Sequence, residues 1–147
     1  MTFGKIDSYF SKYSDISLFF LRLAIGIPFL LHGVGKLLNW GPFASGVSGV
    51  VGFFGSLGIP APALFAWIVS LVETFGGLFL ILGFLTRTSA LLLSINSLVA
   101  LLLVHLSKGY SLQQGGFEYI LVLFLGSLSI LFGGPGKKLT LGKGNLK

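Results

Sequence analysis

The chain has 147 residues, of which 54% are hydrophobic and only 10% charged, with a mean hydropathy of +0.95. A soluble domain of this size carries about a quarter charged residues, so the composition describes one membrane-embedded domain. The absence of cysteine excludes a disulfide framework, a thiol relay, a thiolate zinc site and a bound iron–sulfur cluster, and the formal charge of +6 gathers in flanking segments, a topology signal rather than a nucleic-acid surface.

In chain order, residues 1–15 form a polar cytoplasmic lead-in, with Phe3, Ile6, Tyr9, Phe10 and Tyr13 as the apolar face of an interfacial helix. An apolar run at 18–38 follows, close to the ~20 residues that cross a ~30 Å hydrocarbon core. It contains Pro28, a predicted kink. Residues 41–60 carry no charge, yet Gly46, Gly49, Gly52, Gly55 and Gly58 recur at every third position. That composition is costly for a lipid-exposed helix. The segment is therefore expected to be re-entrant or interfacial, packed under or between the spans. Pro60 and Pro62 introduce a second span at 61–84. Thr86-Arg87-Thr88 makes a short turn, with Thr88 or Ser89 as the expected N-cap of a third span at 89–106. A polar loop from Lys108 to Gly116 leads to a fourth span at 117–132, stopped by Gly133-Gly134-Pro135-Gly136. Residues 137–147 are a basic tail. The fold class expected is thus all-α, a four-transmembrane-helix up-down bundle occupying residues 16–136 as one membrane domain. Lys5, Lys12, Arg87 and the tail lysines share one side and only Lys36 and Lys108 the other, which puts both termini in the cytoplasm of a multi-pass inner-membrane protein.

Function must be sought in the polar groups retained inside the bilayer, because each charge near a span centre costs about 2.5–3.5 kcal/mol. These are Arg22, His32, Lys36, Glu73, His105 and Glu118, with Asn96 as a neutral companion. Glu73 lies mid-span, too deep to snorkel, and an Arg22–Glu73 ion pair is expected. Arg22, Gly26, Phe29, Gly33 and Lys36 follow helical spacing down one face of the first span. Glu73, Gly76, Gly77 and Gly83 supply a small-residue face on the second. His32, His105 and Glu118 fall towards the outer ends of their spans, where they would line an outward-facing cavity. No local HxxxH or ExxH spacing assembles a metal site, and nearby lysines oppose a cation, so no metal is expected.

In order and content the chain resembles the DoxX family of small four-span membrane proteins. The match is carried by Arg22-Leu-x-x-Gly26, Phe29-Leu-Leu-His32-Gly33-x-x-Lys36 and Phe53-Phe54-x-x-Leu57-Gly58-Ile-Pro60-Ala-Pro62. It continues through Glu73-x-x-Gly76-Gly77-Leu78, Leu82-Gly83-x-x-Thr86-Arg87, His105-x-x-Lys108-Gly109 and Gly116-x-Glu118-Tyr119. The resemblance implies the four-span architecture and a place beside redox chemistry, through similarity to a membrane subunit of thiosulfate:quinone oxidoreductase. Without cysteine, any thiol chemistry belongs to a partner.

Three functions fit these residues. The first is a membrane subunit of a redox system that binds a quinone or similar lipophilic carrier. In it Glu73, His32 and His105 handle protons, and Arg22, Lys36, Glu118 and Asn96 bind the ligand. Electrons then come from a redox partner protein or a bound cofactor. The second is a non-enzymatic scaffold docking soluble redox or stress proteins through the basic tail. The third is a small carrier for a metabolite or proton, which would call for a homo-oligomer.

Overall fold

A computed structural model describes residues 3–141 of the chain, and every described element is helical. The helices are α1 (Phe3–Ser11), α2 (Ser14–Leu38), α3 (Gly46–Ser56), α4 (Pro62–Leu82), α5 (Thr86–Ala100) and α6 (Glu118–Gly133). A π-helical turn, Leu101–His105, and a short 3-10 turn, Leu106–Lys108, extend α5 without a break. Three helical stretches are long and apolar enough to cross a membrane: Ile16–Leu38, Pro62–Leu82 and Thr86–Lys108. At 16 residues, α6 is apolar but shorter. Of the expected basic tail, residues 142–147, including Lys143 and Lys147, lie outside the described residues, as do Met1 and Thr2.

Polarity is distributed as lipid demands. Phe20, Trp67, Phe75, Leu102, Val122 and Phe132 are exposed, whereas Arg22, Ser70, Ser97 and Ser127 are completely buried. In water such a continuous apolar surface would be a liability, but against hydrocarbon it is the solvated face. The buried serines are small enough for close helix approach, and Ser70 and Ser97 satisfy their hydroxyls on the carbonyls of Ala66 and Leu93 one turn back.

Helices α2, α4, α5 and α6 close a ring of contacts, α2 on α4, α4 on α5, α5 on α6 and α6 on α2. Glycine sets the tightest seam. A β-carbon at Gly77 would lie 2.5 Å from the backbone nitrogen of Leu30, and one at Gly26 would lie 2.8 Å from the carbonyl of Gly77. Gly33 is pressed against the backbone of Thr74 in the same way. These contacts fix α2 and α4 antiparallel, with Gly26 level with Gly77, Gly33 with Thr74, and Arg22 with Gly83. Below Phe29, a core of Ile25, Leu80, Ala90, Leu93 and Ile130 fills the Arg22 end of the bundle.

Two local expectations are corrected. The segment 41–60 packs against α4 and α2 as expected, but not through its glycine repeat: Gly52, Gly55 and Gly58 face open space, and Val50 is the buried residue of α3. The N-cap of α5 is Leu85 rather than Thr88 or Ser89, because Gly83 and Leu85 both adopt left-handed conformations and complete the turn earlier. Gly83 suits that turn for two reasons, its positive φ and the Arg22 guanidinium lying where a side chain would stand.

Candidate functional site

Glu73 occupies the middle of α4, about 15 Å from either end at 1.5 Å per residue. It is buried, and both of its oxygens are engaged. Lys36 donates from Nζ to Oε2 at 2.6 Å, and Asn96 donates from Nδ2 to Oε1 at 2.9 Å. Acceptance on both oxygens is the pattern of a carboxylate. Three helices thus converge on one acid, α2 through Lys36, α4 through Glu73 and α5 through Asn96.

The expected Arg22–Glu73 pair is not formed. The α2–α4 register sets Arg22 beside Gly83, ten residues and about 15 Å along α4 from Glu73, beyond the reach of its side chain. Arg22 is instead fully buried at the opposite end of the bundle. Its Nη2 donates to the carbonyls of Lys138 (3.2 Å) and Leu139 (2.8 Å), and its guanidinium lies 5.7 Å from the Phe19 ring centre. Arg87 acts similarly, donating to the last carbonyls of α6, Leu131 and Phe132. Arg87 therefore serves the C-terminal end of α6, where free carbonyls carry partial negative charge, and Arg22 holds the segment that follows it. Leu141 N–H, donating to Leu82 O at 3.1 Å, completes a C-terminal strap across this end.

Above Glu73 opens a partly open cavity of about 920 Å³. Its floor is Phe29, Glu73, Asn96 and Leu123, and its walls come from α3, the 39–61 connection, the π turn and the start of α6. Apart from Lys36, Glu73, Asn96, His32 and His105, the lining is overwhelmingly apolar. The register that sets Gly33 against Thr74 brings His32 to the depth of Glu73, where its ring stacks on Phe43 at 3.8 Å and 14°. The 39–45 connection is held there by Ser45 N–H donating to Gly35 O at 3.1 Å. His105 ends the π turn, and its Nδ1 lies 2.7 Å from Gly115 O. A carbonyl can only accept, so Nδ1 is the donor in this contact, which leaves Nε2 turned away from it. π-helical turns concentrate at functional sites, and three residues of this one, Leu103, Val104 and His105, line the cavity wall.

Of the seven residues singled out in the sequence, Lys36, Glu73, Asn96, His32 and His105 meet at one cavity. Arg22 does not. Glu118 does not either; it stands in the first turn of α6, where an acid suits the helix dipole. Phe43, Val50, Phe54 and Tyr119 also line the cavity, and no sequence argument marked them for it. Tyr119 was within reach, as an aromatic at a span start beside Glu118. Phe43 was not, because its place depends on how the 39–45 connection folds. Among the described residues no group of three or more His, Asp or Glu side chains gathers into a metal-holding cluster.

A helical bundle whose exterior is apolar and whose interior holds a buried ion pair beside an apolar cavity is an integral, multi-pass membrane protein. Its residues 17–106 match the DoxX family model, and the chain belongs to the DoxX family. It is similar to "Putative oxidoreductase CatD" of Bacillus subtilis (29% identical, covering 77% of each chain). It is also similar to "Inner membrane protein YqjF" of Escherichia coli (30% identical over 85% of this chain and 89% of that one). A third relative is "Uncharacterized membrane protein Rv3486" of Mycobacterium tuberculosis (32% identical over 80% of this chain and 74% of that one). No solved structure matches.

Proposed function

We propose that this DoxX protein is the membrane subunit of a redox system, and that it holds a quinone or similar lipophilic carrier in the cavity above Glu73. The observation that carries the reading is the Lys36–Glu73–Asn96 cluster at the floor of a cavity of about 920 Å³, within the 300–1,000 Å³ range of sites for one drug-sized ligand. In this reading α6 is the fourth span of the bundle, both termini are cytoplasmic, and α3 lies at the outer face.

Quinone reduction takes two electrons and two protons to the quinol. The electrons come from a redox partner protein, which is consistent with the oxidoreductase name borne by the CatD relative. The ammonium of Lys36 hydrogen-bonds and polarises one head oxygen, the Glu73 carboxylate takes up each proton through His32 and passes it to the reduced head, and Asn96 fixes the orientation of the carboxyl. His32, at the same depth, relays protons to Glu73, and His105 serves the upper wall through Nε2. A scaffold would have no use for a polar floor beneath an apolar cavity. A carrier would need a path through the close-packed Arg22 end.

Calorimetric titration of the detergent-solubilised protein with decyl-benzoquinone tests the reading. Saturable binding is expected, weakened tenfold or more, or about 1.4 kcal/mol, by Glu73→Gln and by Lys36→Met. Binding that is absent from the wild type, or indifferent to both substitutions, overturns it.

A further inference from the structure

The cavity is blind at one end. All of its lining belongs to the half of the bundle that carries α3, and it reaches no deeper than Phe29, Glu73, Asn96 and Leu123. Beyond that floor, Leu80, Ala90, Leu93, Ile130 and Arg22 are completely buried, and the Gly26–Gly77 seam brings the α2 and α4 backbones into contact. Packing of this density leaves no passage for a ligand without separating helices. The other end differs. Here α3 packs on α4 and α2, so the cavity lies between α3 and the wall made by the π turn and α6. Several lining residues at this mouth, Phe53, Leu103, Leu112 and Tyr119, are also exposed on the outer surface of the bundle. The charged pair and Asn96 are at the floor, and apart from His105, Ser45 and Tyr119 the lining above them is mostly apolar.

From this polarity we infer the class of ligand and its route: a single-chain amphiphile with a compact, uncharged head, which enters head first from the α3 half of the bilayer and from that half only. This rests on the cavity being the ligand site, as proposed above, and adds what fits it and from where. The head must be uncharged because Lys36 and Glu73 already cancel, and a phosphate brought beside the Glu73 carboxylate would be repelled and desolvated at once. The apolar chain extends outward past α3, where apolar lining and lipid are continuous. Gly49 controls the width of the mouth. It lines the cavity, and the only atom that a β-carbon there would meet is Ser45 Cβ at 3.4 Å. A β-carbon at 49 therefore fits without displacing a neighbour, and a larger side chain there is expected to narrow the route.

The cysteine-free chain gives a clean test in proteoliposomes. Val69 lines the cavity one turn from Glu73, so Val69→Cys reports arrival of the lipid-soluble electrophile N-decylmaleimide at the floor. Alkylation is expected to proceed in the otherwise native chain and to slow tenfold or more when Gly49→Trp is added, with Gly49→Leu intermediate. Leu139→Trp, at the opposite end, should leave the rate unchanged. A rate indifferent to both position-49 substitutions, or one slowed by Leu139→Trp, overturns the route. Melting curves of each variant separate a narrowed mouth from a loosened fold. Protection of Val69→Cys by decyl-benzoquinone but not by lysophosphatidic acid is the result expected for an uncharged head, and equal protection by both overturns that assignment. If gated alkylation occurs but no quinone protects, the route stands and the quinone reading falls.

Discussion

Removing Lys36 is the sharpest perturbation of the buried centre. In Lys36→Met the side chain keeps most of its length and loses its charge, which leaves Glu73, with a side chain only 8% exposed, holding Asn96 as its remaining partner. Breaking a buried pair from one side costs about 3–5 kcal/mol, because the surviving charge stays buried without compensation. Lys36 is itself 21% exposed, so the lower figure applies, and about 3 kcal/mol is roughly a hundredfold in the folding equilibrium. The double substitution Lys36→Met with Glu73→Leu removes both charges and should recover most of the loss, since an apolar replacement of a buried pair is often neutral. SDS-driven unfolding in mixed micelles, read by circular dichroism on the wild type, both single variants and the double variant, gives the coupling energy as a double-mutant cycle. A coupling of about 2 kcal/mol or more is expected. Additive single effects would refute the pairing. So would a strong cycle between Arg22 and Glu73, which would restore the partner that the helix register rules out.

Other expectations concern packing and the chain ends. Gly77→Ala forces a methyl to within 2.5 Å of the Leu30 nitrogen and should cost at least the 1–3 kcal/mol typical of overpacking. Gly52→Ala, with nothing within 4 Å, should stabilise α3 by about 0.5–1 kcal/mol; the same SDS titration reads both. Arg22→Gln releases the carbonyls of Lys138 and Leu139. It should speed limited proteolysis within residues 134–141 while leaving decyl-benzoquinone affinity within twofold of wild type. His105→Ala removes the tie to Gly115, and hydrogen exchange should rise across the amides of 109–117 with little change elsewhere.

The sequence made the elements legible because uninterrupted apolar runs leave few alternatives in lipid, and it marked Glu73, Lys36, His32, His105 and Asn96 because ionisable and amide groups inside spans are rare. It did not disclose who pairs with whom. Arg22 was the natural partner for Glu73 by charge and by apparent depth, yet pairing depends on the vertical offset of α2 against α4, which Gly26, Gly33 and Gly77 set through backbone contact. Glycines advertise close approach in sequence but not the facing residue. The same ambiguity explains α3. Its three-residue glycine period suits packing and open exposure equally, and only the position of Val50 against α4 decides between them. An outward-facing cavity with His32 and His105 was legible in the sequence, but its walls and its floor at Glu73 were not, since they depend on how α3 and the 39–45 connection fold.

The central claim is that the Lys36–Glu73–Asn96 floor holds a lipophilic molecule. Native mass spectrometry of wild type and Glu73→Gln extracted from membranes into lipid nanodiscs tests it most directly. A small neutral amphiphile retained by the wild type and lost from Glu73→Gln is the expected result. An identical spectrum for both proteins, carrying bulk phospholipid alone, would contradict it.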